Sequence, residues 1–196
     1  EIGNKLATER GLTLIKPYDD PQVIAGQGTT GLEIAAQAAA LGVTQADVLV
    51  CCGGGGLTSG IALALEADAP GMRVRPVEPQ GFDDATRSLI SGRIEKNATT
   101  SGSICDAILT QCPGNLTFPI LQRLCGPGII VTDDEAKQAM TAAFRHLNLV
   151  LEPGGAVGLA AALFHGSEVE GDTVIAVASG GNVDAALYAT VLAGAK

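Results

Sequence analysis

Four consecutive glycines, Gly53, Gly54, Gly55 and Gly56, stand in "CCGGGGLTSG" between the apolar runs "ADVLV" and "IALAL". Each glycine weakens a strand or a helix by about 1 kcal/mol relative to alanine. A chain that keeps four in a row therefore needs bare backbone there. A glycine turn between a strand and a helix N-terminus gathers unpaired N–H groups and the positive end of the helix dipole at one spot. The ligand such a turn suits is an organic phosphate; the alternative is that the glycines only let a helix pack closely on the sheet.

The rest of the 196-residue chain reads as an α/β alternation. "EIGNKLATERGL" opens in helical phase, with Ile2, Leu6 and Ala7 on one face and Gly11 as a stop; "LTLIK" (12–16) reads as a short strand, and "PYDDPQ" (17–22) is a turn-rich connector and the best domain boundary. "GQGTTGLEIAAQAAALG" follows as a helix with Thr29 or Thr30 as N-cap and Gly42 as terminator. Strands are expected at 47–52, 73–79 and in "GIIVT", and helices near 57–67, 83–91 and 117–125. A capping box, "TDDE" (132–135), opens another helix. "EPGGAVGLAAALFHG" is a buried helix, and "DTVIAVASGGNVDAALYATVL" closes the chain as strand, glycine turn and helix. The expected fold is an open, mostly parallel sheet covered by helices on both faces.

Composition narrows the partners. Hydrophobic residues make up 46% against 17% charged, enough for a sizeable aliphatic core. The net charge of −9 and the absence of a basic stripe argue against nucleic acid and anionic membranes. No apolar run approaches the ~18 residues of a membrane span. Five cysteines without zinc spacing read as free thiols in a reducing cytoplasm.

Two familiar phosphate motifs do not fit the turn. Gly56 precedes Leu57 rather than the Lys of a P-loop, and a G-x-G-x-x-G frame begun at Gly54 ends on Ser59. Glu78 nevertheless stands where a ribose-binding acid would follow such a frame, which keeps a nucleotide-binding oxidoreductase as an alternative. A second strand–glycine–helix turn, "VIAVASGGNVD" (174–184), places Ser179 at a strand tip. Two such turns suit a compact ligand gripped at its phosphate and at a ring atom. For Ser179 the alternative is an N-cap; for Glu152, before Pro153, it is a cap on the following helix. His146 and His165 lack cysteine or carboxylate clusters and read as structural or surface residues, and Asp106 as structural.

In this order and spacing, "GGGGL", "EPGGAVGLAA" (152–161) and "SGGNVD" (179–184), with "PYDDPQVIAGQGTTGLEI" and "VTDDE", resemble the serine/threonine dehydratase and serine racemase family. These are fold-type II pyridoxal-phosphate enzymes with a tryptophan-synthase-β-like architecture. The resemblance implies that Gly53, Gly54, Gly55, Gly56 and Leu57 cradle the phosphate of pyridoxal phosphate and that Ser179 bonds its pyridine nitrogen. Asn182 would brace the turn and Glu152 would lie near the cofactor. It also implies a Mg²⁺ or Ca²⁺ site from Glu78, Asp84 and the carbonyl of Phe82, a bulky departure from the usual small residue. Residues 1–18 resemble the end of the small substrate domain, and 19–196 the latter part of the large domain.

The same resemblance places the Schiff-base lysine in an N-terminal segment not represented in this sequence. Lys5, Lys16, Lys96, Lys137 and Lys196 match no such motif. The expectation is a homodimeric cytoplasmic lyase that takes the β-hydroxyl from serine, threonine or 3-hydroxyaspartate, giving a 2-oxo acid and ammonia. Serine racemisation is the alternative on the same scaffold, and a non-catalytic scaffold fragment a further one. This chain, lacking its N-terminal portion or a companion chain, is expected to be inactive alone.

Overall fold

The computed structural model describes residues 2–194. Strands β1 (Ala46–Cys51), β2 (Met72–Pro79), β3 (Ile129–Val131) and β4 (Val174–Ala176) form one sheet in the order β3-β2-β1-β4. All three pairings are parallel, with Val48 opposite Val74 and Ile175, and Val77 opposite Ile129. The helices are α1 (Ile2–Arg10), α2 (Pro21–Ala40), α3 (Gly56–Asp68), α4 (Asp84–Ser91), α5 (Thr117–Leu124), α6 (Asp133–Ala142), α7 (Pro153–Phe164) and α8 (Ala185–Gly194).

Every residue of β1 is buried, as befits the inner strand of a sheet covered on both sides. Its period-two alternation divides the core. Val48 and Val50 pack with Ala35 and Ala38 of α2 and Ile61 and Leu65 of α3. Leu49 and Cys51 face the other way, toward Ala139 of α6, Val157 and Ala160 of α7, and Val191 of α8. The expected α/β class is what the chain adopts.

Two local expectations are corrected. Helix α2 starts at Pro21, with Asp20 as N-cap accepting the N–H groups of Gln22 and Val23; Thr29 and Thr30 lie inside it. The Asp-Pro pair is the true start signal. Within α2, Gly28 and Gly31 serve packing on α3: a Cβ on Gly31 would come 2.8 Å from the Ile61 carbonyl oxygen and one on Gly28 3.1 Å from the Gly60 carbonyl oxygen. Gly42, with φ of 73°, follows the helix end as expected. Residues 12–16 form no strand: they pair with no sheet edge among the described residues, and Leu12, Leu14 and Ile15 are exposed. Asp133 begins α6 behind the expected capping box, with Thr132 and Glu135 bonded reciprocally.

Candidate active site

At the C-terminal end of β1 the chain passes through Cys52 and the four glycines into α3. Gly55, at φ of 89°, occupies the left-handed region that turns the strand into the helix. Each glycine is pressed by a neighbour. A Cβ on Gly53 would meet the Ile108 carbonyl oxygen at 3.2 Å, one on Gly54 the Tyr18 ring at 2.2 Å, and one on Gly55 the Leu121 side chain at 3.0 Å. The packing reading of the run therefore has physical content at each position.

The turn is fixed from behind. Thr117 Oγ1 donates to the Gly54 carbonyl at 2.6 Å, and the Gly114 N–H reaches the same oxygen at 3.2 Å. Thr58 Oγ1 donates to the Cys51 carbonyl at 3.2 Å. The N–H groups of residues 53–58, by contrast, meet no acceptor among the described residues. Gly54, Gly55, Gly56 and Thr58 are nevertheless buried. A covered N–H without an acceptor costs about 1–3 kcal/mol, which an anion placed there removes.

Ser179 lies just past β4, exposed, with its Oγ 3.1 Å from Cys51 Sγ. It caps no helix: α8 is opened by Asp184, whose Oδ1 accepts the N–H groups of Ala186 and Leu187. Glu152 precedes α7 but its side chain does not cap it. Instead Oε2 accepts the Asn182 N–H at 3.1 Å, and the Glu152 N–H donates to the Gly180 carbonyl at 3.0 Å. Asn182 thus enters the brace through its backbone. Gly155 gives the turn room, since a Cβ there would lie 2.5 Å from the Gly180 carbonyl oxygen. The Val177 N–H to Leu49 carbonyl bond, 2.9 Å, holds the two strand tips side by side.

The second cluster sits beyond β2. Glu78 is fully buried; its Oε1 accepts the Ala85 N–H at 2.8 Å, and its Oε2 accepts the Thr86 N–H at 2.7 Å and Oγ1 at 2.6 Å. It is therefore committed to the start of α4 rather than presented to a ribose. Burial raises its pKa to about 8, and the nearby Asp84 adds to the rise. Burial likewise lifts Asp84 to about 6. Asp84 Oδ1 accepts from Asn97 Nδ2, while Oδ2 is buried and has no hydrogen-bond partner. Phe82 closes a turn through its N–H to the Pro79 carbonyl, with Gly81 at φ of 82°. No group of three or more His, Cys, Asp or Glu side chains is set to hold a metal among the described residues.

Sequence reasoning missed Tyr18, Thr117 and Cys51 as parts of this site. The glycine spacing carried no sign of them, because all three act across tertiary contacts. Lys5, Lys16 and Lys96 are exposed, Lys137 is half-buried on α6, and Lys196 lies outside the described residues.

Two glycine turns on adjacent strand tips of an open parallel sheet, one lined with unclaimed amide donors, define an α/β protein with a site suited to an anionic group where strands pass into helices. The chain belongs to the family of pyridoxal-phosphate-dependent enzymes, whose model matches residues 1–180. It is 40% identical over 195 residues to the L-threo-3-hydroxyaspartate ammonia-lyase of Saccharomyces cerevisiae, covering 99% of this chain and 58% of that one. It is 38% identical to the serine racemase of Dictyostelium discoideum, covering 96% and 57%. The crystal structure of the T.th. threonine deaminase superposes with a TM-score of 0.89 at 42% identity, over 93% of this chain and 61% of that structure. The chain thus spans about three-fifths of these relatives, corresponding to their C-terminal portion. No described helix is long and apolar enough to cross a membrane.

Proposed function

We propose that this chain is the cofactor-holding part of a pyridoxal-phosphate lyase that removes the β-hydroxyl of a small hydroxy amino acid such as serine, threonine or 3-hydroxyaspartate. The observation that carries the reading is the set of covered, acceptor-free N–H groups at residues 53–58, set beside the Ser179 turn. The names of the relatives, an ammonia-lyase and a threonine deaminase among them, support elimination. A racemase relative keeps racemisation of serine as the second reading.

Bound pyridoxal phosphate supplies an electron-withdrawing ring that acidifies the Cα–H of an attached amino acid. Residues 53–58 would bind the phosphate through their backbone N–H groups and the N-terminus of α3. Ser179 would present a neutral hydroxyl to the ring nitrogen. Such a partner leaves that nitrogen unprotonated and the ring a weaker electron sink, which suits departure of a β-hydroxyl over prolonged storage of charge. Glu152 acts at one remove, holding the turn that carries Ser179.

Several finer assignments belong to the same proposal. Residues 1–18 end the small substrate domain and 19–196 form the large one. The Schiff-base lysine and the catalytic base come from a polypeptide portion preceding this chain, without which the chain is inactive. The assembled enzyme is a cytoplasmic homodimer; free cysteines at all five positions support a reducing compartment. A divalent cation, Mg²⁺ or Ca²⁺, is held by Glu78, Asp84 and the Phe82 carbonyl. The unpartnered Asp84 Oδ2 supports that fit, as does the Glu78 Oε1, which accepts only one hydrogen bond.

Borohydride reduction in the presence of pyridoxal phosphate, followed by denaturing intact mass, tests the reading. The expected result is a single pyridoxyl adduct on a lysine outside these 196 residues, in the parent or companion chain. A parent that stays unmodified, or carries its adduct on Lys5, Lys16, Lys96 or Lys137, would overturn it.

A further inference from the structure

Cys51 ends β1, and extending the β1–β4 register, in which Leu49 faces Ala176, brings it beside residues 178 and 179. Its Sγ stands 3.1 Å from Ser179 Oγ, a thiol–hydroxyl hydrogen bond between the two strand tips. The Cys51 side chain is buried, whereas Ser179 is exposed. The pair therefore runs from the core outward: sulfur behind, hydroxyl in front.

We propose that Cys51 is a positioning residue for Ser179: its thiol donates to the serine oxygen, so that the serine hydroxyl is left to donate outward to the ring nitrogen of the bound cofactor. This rests on the assignment of Ser179 to that nitrogen made above. The chemistry follows from the donor inventory. A hydroxyl has one proton and two lone pairs, and a thiol donates weakly. With sulfur supplying a proton to Oγ, the hydroxyl's own proton is free to point away from the core. The two bonds then run in one direction, S–H to O–H to nitrogen, and polarise each other. Turned the other way, with Ser179 donating to sulfur, the oxygen would face the ring as an acceptor and would select a protonated nitrogen. The thiol thus helps decide which protonation state of the ring the site accepts.

The thiol has the proton this needs. Burial, together with the Glu152 carboxylate, holds Cys51 above the ordinary thiol pKa against the opposing effect of the Ser179 contact. Glu152 also braces the turn from the other side through the Asn182 N–H. Glu152 therefore holds the turn at Gly180 and Asn182, and Cys51 meets the Ser179 side chain.

The test begins on the parent protein without cofactor. The S–H stretching band of Cys51, assigned by difference from Cys51→Ala, is expected to lie below that of a free buried thiol and to shift upward in Ser179→Ala. A band that Ser179→Ala leaves in place overturns the proposal. The second readout is the ¹⁵N shift of ring-labelled 4′-deoxypyridoxine 5′-phosphate bound to the parent protein. Cys51→Ala is expected to move it and Cys51→Ser, which restores a donor, to bring it back. A ring nitrogen that responds to Ser179→Ala but not to Cys51→Ala removes Cys51 from the relay and leaves Ser179 in its role. A nitrogen that responds to neither variant sinks the Ser179 assignment and the proposal with it.

Discussion

The ring of Tyr18 lies across Gly54, so close that a Cβ on the glycine would come 2.2 Å from Tyr18 Cδ2. The connector between α1 and α2 is thereby seated on the glycine turn. Asp19, at φ of 57°, adds a second tie through Oδ1 to the Leu116 N–H. Gly54→Ala is expected to push Tyr18 off the turn and to lower stability by about 1–3 kcal/mol. Because the obstacle is a side chain, Tyr18→Ala in the same chain should recover part of that loss in urea unfolding. A Gly54→Ala penalty unchanged by Tyr18→Ala would contradict the contact.

Gly60 meets a harder obstacle. Its missing Cβ would fall 2.4 Å from the Ile24 carbonyl oxygen and 2.6 Å from the Gly28 nitrogen, both backbone atoms of α2. Gly60→Ala must therefore separate two helices rather than turn a side chain. We expect a larger loss than for Gly54→Ala, about 3 kcal/mol or more, with no recovery from Tyr18→Ala. A thermal midpoint equal to that of the unaltered chain would contradict the close packing.

Asp47, buried at the start of β1, accepts from Arg73 Nε at 2.7 Å, Arg75 Nη1 at 3.0 Å and the Glu170 N–H at 3.1 Å. Burial pushes its pKa up, but the Arg73 hydrogen bond, the Glu170 N–H and the two guanidinium charges outweigh burial and hold it below the ordinary 3.8. The folded value is the lower one. Its stabilisation is present above the unfolded pKa and lost as pH falls through the folded pKa. Asp47→Asn should cost about 3 kcal/mol near pH 7, with a smaller penalty at about pH 3, where the unfolded carboxylate takes up a proton before the native one does. Equal penalties at both pH values in urea titrations would contradict this.

Asp84 should reveal the cation. Without a divalent ion its Oδ2 is a buried acceptor with nothing to accept from. Asp84→Asn is expected to leave the metal-free thermal midpoint unchanged or raise it, and to abolish the increase that Mg²⁺ or Ca²⁺ gives the unaltered protein. A midpoint of the unaltered protein that ignores both ions and chelator would return Glu78 and Asp84 to a purely structural role.

The sheet was readable because its signals are local: "DVLVCC" and "RVRPVEP" are buried runs, and "TDDE" fixes its helix by a bond between neighbours. The start of α2 was misread because Gly28 and Gly31 look like a loop until α3 is known to lie against them. The glycine turn and the Ser179 turn could be located from spacing. The groups that hold them could not: Thr117 reaches Gly54 across 63 positions and Cys51 reaches Ser179 across 128. Contacts of that separation leave no periodicity behind. The roles of Glu78 and Glu152 likewise depend on which N–H groups the fold brings to them.

Everything proposed for this chain depends on the N–H groups of residues 53–58 receiving a phosphate. A backbone amide NMR titration with 4′-deoxypyridoxine 5′-phosphate, which has no aldehyde to react with stray lysines, tests that most directly. These amides are expected to shift on binding, and 4′-deoxypyridoxine, lacking the phosphate, is expected to leave them unmoved. Shifts confined to other residues, or identical shifts with and without the phosphate, would contradict a phosphate cradle at this turn.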